Sequence, residues 1–211
     1  MFARIQALAG PLIAMGILTL AAGMPAFAAL LNSPGFHGTV VSRDINDFTL
    51  RTADGKLRTA ADFKDTYTYL FFGYARCTGV CPRALHELRQ FSRESHGKFS
   101  VLFISLDPVR DSPGDLRRIE AAGGPAWTAL HGPDLRSVQN LARSLHAPYA
   151  YDQQAARENK AYQFNHPGFA YLVGPDARLR LLYSTGFSAA ELQSDFERLT
   201  GSERNPPEER P

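Results

Sequence analysis

Cysteine is scarce in this chain: Cys77 and Cys81 are the only two among 211 residues. A disulfide-stapled mini-domain is therefore excluded, and ~160 residues of mature sequence can bury a core without such staples. A four-cysteine zinc site is excluded as well, and no H-x-x-x-H pair is present to complete a two-cysteine one. Strong charge of one sign is also missing. With 23 Lys and Arg against 21 Asp and Glu, the formal net charge is +2, and no basic stripe interleaves with aromatics. Nucleic-acid binding has no support from such a pattern. There is no internal repeat and no low-complexity block, so the length reads as one domain with appendages.

Charge is nearly absent from the first forty residues, where Arg4 stands alone before Arg43. The apolar run Ala7 to Met24, broken by Gly10, Pro11, Gly16 and Gly23, leads into Pro25-Ala26-Phe27-Ala28-Ala29. That order, a basic start, an apolar stretch and an A-x-A site, is that of a secretory signal. At ~18 residues the run also meets the lower limit for a retained membrane anchor. Both readings put the domain outside the cytoplasm, as a periplasmic or otherwise exported protein, free or anchored to the inner membrane. The expected boundaries are a signal or anchor over 1–28, a linker over 29–36, the domain over 37–200 and a charged tail over 201–211.

Between those ends the periodicity switches repeatedly. Thr39–Ser42 and Phe48–Thr52 are β-rich, and Ala53-Asp54-Gly55-Lys56 carries a turn signal. Tyr67–Tyr74 is a short, nearly unbroken apolar and aromatic run, as expected of a strand covered on both faces. Cys81–His96 has helical spacing, with Leu85, Leu88 and Phe91 on one face and Pro82 in the first turn, where proline is accepted. Phe99–Leu106 reads as a second buried strand, and Ser112-Pro113-Gly114-Asp115 opens a helix with Leu116 and Ile119. Trp127–His131 reads as a strand, and Leu135, Val138, Leu141 and Leu145 mark another helix. Phe169–Val173 and Leu179–Tyr183 read as strands, and Ser188–Leu199 as a closing helix with Ser188 as its N-cap. The order β-β-β-α-β-α-β-α-β-β-α predicts an α/β sandwich with a mixed central sheet flanked by helices.

Chemistry concentrates where the aromatic strand turns into the first helix. Cys77 and Cys81, with three residues between them, sit in that turn. A helix N-terminus offers free N–H groups and partial positive charge, which favour thiolate. Arg76 and Arg83 add positive charge nearby. Two thiolates at this spacing can converge on one soft ion, and a soft donor set favours Cu(I). The same pair also reads as a structural disulfide of an exported protein or as a redox dithiol. Of six histidines, His166 stands apart, in the loop before Phe169–Val173 and followed by Pro167. A lone histidine in a loop is also compatible with a structural role.

Three segments then resemble the Sco/SenC family in the family's order. Phe71-Phe72-Gly73-Tyr74-Ala75-Arg76-Cys77-Thr78-Gly79-Val80-Cys81-Pro82 is similar to its F-G-Y segment followed by C-x-x-x-C-P. Ser105-Leu106-Asp107-Pro108-Val109-Arg110-Asp111-Ser112-Pro113 is similar to S-x-D-P-x-R-D-T-P. Asn165-His166, with Tyr171 to Asp176 after it, is similar to the histidine stretch, and Phe48 to Phe63 to the entry hairpin. The resemblance implies a thioredoxin-like fold and a copper site, Cu(I) or Cu(II), of Cys77, Cys81 and His166. It implies a metallochaperone for the binuclear copper centre of cytochrome c oxidase, with subunit II or another copper enzyme as client. Asp107 is implied as an outer partner that orients the site without holding the ion.

The chain departs from the pattern at Thr78-Gly79, where relatives usually carry Pro-Asp, at Asn165, often Asp, and at Arg76. Fewer acids should make thiolate easier to form and the site less negative. Two other activities use the same thiols. One is a thiol–disulfide oxidoreductase with Cys77 and Cys81 as its redox dithiol, recharged by a thioredoxin-like reductant. The other is a peroxidase, which Thr78-Gly79-Val80-Cys81 faintly resembles through the T-x-x-C of peroxiredoxins. Nothing in the sequence asks for an obligate dimer, and a monomer is expected.

Overall fold

The chain divides between Pro34 and Gly35 into two units. The computed structural model describes residues 35–204, apart from Asn159, all within the second unit. The expected signal or anchor over 1–28, the linker up to Pro34 and the tail from Asn205 lie outside the described residues. No described helix is long and apolar enough to cross a membrane.

The described strands are β1 (Thr39–Asp44), β2 (Thr49–Thr52), β3 (Leu57–Thr59), β4 (Tyr67–Gly73), β5 (Phe99–Ser105), β6 (Trp127–His131), β7 (Ala150–Tyr151), β8 (Phe164–Asn165), β9 (Ala170–Val173) and β10 (Arg178–Tyr183). The helices are α1 (Cys81–Glu94), α2 (Pro113–Gly123), α3 (Leu135–Ser144), α4 (Gln153–Arg157) and α5 (Ala189–Arg204), with a 3-10 turn at Ala60–Phe63. Eight strands form one sheet in the order β1-β10-β9-β4-β5-β6-β2-β3, and β7 pairs with β8 separately. The sheet is mixed, as the sequence predicts: β4, β5 and β6 run parallel, while β9 and β2 join them antiparallel.

The unbroken aromatic run is explained by two cores. Tyr67, Tyr69 and Phe71 of β4 face α1 and α5, with Leu88, Phe91, Leu192 and Phe196 in the same cluster. Leu70 and Phe72 alternate to the other face, with Val138, Leu141 and Leu145 of α3. Every residue of β4 is buried, so polarity never alternates along it. Each such aliphatic or aromatic burial contributes roughly 1.5–3 kcal/mol before entropy is counted.

The helix starts follow their capping chemistry. Ser112 accepts from Asp115 N–H while Asp115 accepts from Ser112 N–H, and Pro113 takes the first turn of α2. Asp134 caps α3 through Ser137 N–H at 2.9 Å. Ser188 and Glu191 bond reciprocally ahead of α5, as expected of the Ser188 cap. Elements of two to five residues, β3, β7, β8 and α4, carry no readable period and are absent from the sequence-based order. Two ends also differ from expectation. α5 continues to Arg204, past Leu199, since no proline interrupts it before Pro206. Phe36, read as linker, packs against the core, and the N–H groups of His37 and Gly38 donate to the buried Asp195 carboxylate.

Topology fixes where chemistry can occur. β4 runs toward the cysteine turn and pairs antiparallel with β9, so Phe71 near its end lies opposite Ala170 at the start of β9. The residues just before β9 are thereby brought beside the turn that follows β4. Residue 166 meets residues 77 and 81 for that reason, across more than eighty positions of sequence.

Candidate metal centre

Cys81 is the first residue of α1, and Val80 before it supplies no side-chain cap. Cys77 sits in the preceding loop, its N–H donating to the Tyr74 carbonyl at 3.1 Å. Gly73 makes the packing possible. A Cβ there would lie 2.9 Å from the Phe103 ring and 3.2 Å from the Cys81 sulfur, so only glycine lets the strand end pass under the thiol. Asp111 holds the loop from the other side: both carboxylate oxygens accept from Ala75 N–H at 3.1 Å, and Ser105 Oγ donates to it at 2.7 Å.

His166 follows β8, which an aromatic cluster of Tyr74, Tyr149, Tyr151 and Tyr162 packs through Phe164. The His166–Pro167 peptide, whose isomer the sequence leaves open, is trans. Its Nε2 lies 3.3 Å from Cys81 Sγ and 3.8 Å from Cys77 Sγ. On its other side Nδ1 lies 3.0 Å from the Pro167 carbonyl. A carbonyl can only accept, so Nδ1 carries a proton and Nε2 is the ring atom turned toward the two sulfurs. The outer hydrogen bond orients the ring so that Nε2 is the atom a metal would meet.

The ligand atoms of Cys77, Cys81 and His166 lie within 4.8 Å of one another, forming a group that could hold a metal ion. Two soft thiolates and an imidazole suit copper better than a hard cation. Cys81 and His166 are 2% and 8% exposed, while Cys77 is half-buried and forms the accessible edge. The rings of Tyr74 and Phe71 stand 5.9 and 6.5 Å from the imidazole and wall the site with apolar surface.

The two thiols are free and electrostatically unequal. The Cys81 thiol donates to Cys77, which together with His166 and the N–H groups of Cys81 and Gly79 lowers the Cys77 thiol to about 4. Cys81 is pushed the opposite way, because Cys77 holds the shared proton on it and burial disfavours its charge. The arginines expected to supply this effect bond elsewhere, Arg76 to the Arg110 carbonyl and Arg83 to the Gly186 carbonyl. A pH profile follows. Because the Cys77 value is depressed, thiolate persists as pH falls to about 4. Alkylation of the folded, reduced, metal-free protein by iodoacetamide should therefore stay nearly level from pH 8 to about 5, whereas an ordinary thiol slows ~tenfold per unit below its pKa near 8.5. Mass spectrometry of the quenched reaction, with modification at Cys77 ahead of Cys81, checks it.

The structure thus gathers three of the sequence-derived residues. Asp107 is fully buried, but its carboxylate bonds to Arg110 and Tyr162 and to none of the three. Sequence reasoning missed Asp111 and Tyr74 as supports of the site, although both lie inside the motifs that signalled it.

Comparison with known proteins agrees with this geometry. The SCO1/SenC family profile matches residues 39–201. A Stutzerimonas stutzeri protein named for copper binding is 28% identical over 78% of this chain and 82% of its own length. The mitochondrial SCO2 homolog of Bos taurus is 28% identical over 72% of this chain, which spans only 58% of that longer relative. Among solved structures, apo Sco1 from Thermus thermophilus is 28% identical with a TM-score of 0.68, covering 79% of this chain and 99% of that one. Bradyrhizobium japonicum ScoI with copper bound is 25% identical with a TM-score of 0.61, covering 74% and 98%.

Proposed function

The chain belongs to the SCO1/SenC family, and from that premise we propose that it is a copper metallochaperone serving the binuclear copper centre of cytochrome c oxidase. Cys77, Cys81 and His166 hold the ion as cargo. The observation that carries this reading is the convergence of two sulfurs and an imidazole nitrogen within 4.8 Å. The names of the copper-binding relatives support the choice of metal. Cargo leaves by ligand exchange at Cys77, the accessible edge, where a client thiolate can attack while Cys81 and His166 still hold the ion. The client is a copper enzyme such as oxidase subunit II. The compartment is outside the cytoplasm, a reading supported by the apolar run and A-x-A pattern before Leu30.

His166→Ala tests the third ligand. Cu(II), which relies on nitrogen ligation more than Cu(I) does, should lose its thiolate absorption bands first. Cu(I), still gripped by two sulfurs, should weaken about tenfold, while the dithiol remains oxidisable. Copper spectra unchanged in that variant would remove His166 from the site.

One observation favours a second activity on the same atoms. A thiolate at Cys77 beside a protonated Cys81 is the arrangement of a dithiol reductant. In that reading Cys77 attacks a client disulfide and releases one client thiolate, Cys81 resolves the mixed disulfide, and two electrons and the Cys81 proton pass to the client, whose other thiolate draws a proton from solvent. A thioredoxin-like reductant would restore the pair. Copper tightly held by the reduced protein separates the chaperone reading from this one.

A further inference from the structure

The loop from Asp107 to Asp111 touches both halves of the site. Its cysteine end is Asp111, bound to Ala75 N–H two residues before Cys77. Ser105 Oγ links the ends, donating to Asp111 and accepting from Asp107 N–H at 3.0 Å.

The other end reaches toward the histidine. Arg110 Nε donates to Asp107 Oδ2, and Arg110 Nη1 donates to the Tyr162 carbonyl at 2.9 Å. The same guanidinium lies flat against the Tyr162 ring, 3.4 Å from its centroid. Tyr162 returns its hydroxyl to Asp107 Oδ1 at 3.1 Å, closing a ring of three side chains around a fully buried carboxylate. Tyr162 leads directly into β8 and, four residues on, to His166. Between them Gln163 and Phe164 are tied to Tyr74: its hydroxyl donates to Gln163 Oε1 and accepts from Phe164 N–H at 3.4 Å. Among the described residues, α4 and the two-residue β7 and β8 are all the secondary structure from 146 to 166, so this stretch takes its place from side-chain ties.

We propose that Arg110 is a positioning residue for the metal centre: by clamping Tyr162 onto Asp107 it sets the distance between His166 and the cysteine pair. One planar cation does three jobs at once, an ion pair, a bond to a backbone carbonyl and a stack on a ring, and lysine cannot combine them. The clamp rests on contacts among Asp107, Arg110 and Tyr162 themselves. Only its effect on copper depends on the function proposed above.

The test compares the full reduced chain with Arg110→Gln, Arg110→Lys and Tyr162→Phe. The first readout needs no metal: nuclear Overhauser contacts between the rings of His166 and Tyr74, whose centroids are 5.9 Å apart. The second is Cu(I) competition with a chelator, together with the Cu(II) absorption spectrum. Arg110→Gln should lose the ring contacts, weaken Cu(I) about tenfold and move the Cu(II) spectrum toward that of His166→Ala. Arg110→Lys should fail to restore them, and Tyr162→Phe, which keeps the carbonyl and the ring, should shift them less in the same direction. Wild-type ring contacts and spectrum in Arg110→Gln, with only a lower melting temperature, would overturn the proposal and leave Arg110 a plain stabiliser. If Arg110→Gln fails to fold, Arg110→Lys and Tyr162→Phe decide by the same two readouts. A wild-type protein that binds no copper would sink the chaperone reading, while the ring contacts would still decide the clamp.

Discussion

Cys81→Ser is expected to lose Cu(I) binding by more than the ~10–100-fold that removal of an outer partner of a metal site costs. The reason is chemical rather than structural. Serine nearly matches cysteine in shape and can still donate to Cys77, so the buried first turn of α1 should keep its packing against Gly73 and Phe71. A hydroxyl, however, is a hard donor that does not ionise near neutral pH, and one thiolate with one imidazole leaves Cu(I) two-coordinate. The experiment also reports on protons. Cys81 holds its proton in the metal-free protein, so Cu(I) entry must release one, and wild-type affinity should rise with pH. Cys81→Ser should lose most of that dependence. A competition titration at two pH values checks both points, and a Cys81→Ser protein with wild-type affinity would refute the ligand assignment.

The second large effect is on stability. Asp111 is 5% exposed and serves two donors through two oxygens, taking Ala75 N–H on both and Ser105 Oγ–H on one. Asp111→Ala strands the buried Ser105 hydroxyl, at ~1–3 kcal/mol, and unties the Ala75 N–H of an exposed residue that water can reach. Part of this is offset, because burial raises the Asp111 carboxyl above its ordinary value and the charged form is not fully repaid. The sign is that of an acid whose folded value is raised: its contribution is greatest below the unfolded pKa and declines as pH climbs through the folded one. A net loss of about 1–3 kcal/mol at neutral pH should lower the melting temperature by roughly 3–9 °C in a domain of this size. Asp111→Asn, keeping one acceptor and carrying no charge, should lose less. Thermal unfolding with both variants checks the order. Copper affinity should fall with Asp111→Ala as well, since the loop carrying Cys77 loses its tie.

Much of this site is legible in the sequence, for identifiable reasons. Tyr67–Gly73 betrays a doubly covered strand through its unbroken apolar run, and Pro82 marks the helix start that sets Cys81 at an N-terminus. His166 needs more than local pattern. Only the antiparallel pairing of Phe71 with Ala170 brings it to the sulfurs, and resemblance stood in for that pairing. The clamp of Asp107, Arg110 and Tyr162 was not legible, because an Asp-x-x-Arg spacing in a loop is equally a surface ion pair. What distinguishes it is burial of Asp107 against a residue 55 positions away. The docking of Phe36 and the tie of His37 to Asp195 escaped notice for the same reason: both depend on α5, more than 150 residues later. The proton on Nδ1 of His166 follows from one carbonyl contact that no spacing encodes.

The central claim is that Cys77, Cys81 and His166 together hold copper. The most direct measurement is an anaerobic titration of the reduced full chain with Cu(I) against a competing chelator, run beside Cys77→Ser. One equivalent bound tightly by the wild type and lost in the variant is the predicted result. A folded, reduced protein that never competes with the chelator would contradict the claim and return the two cysteines to redox chemistry alone.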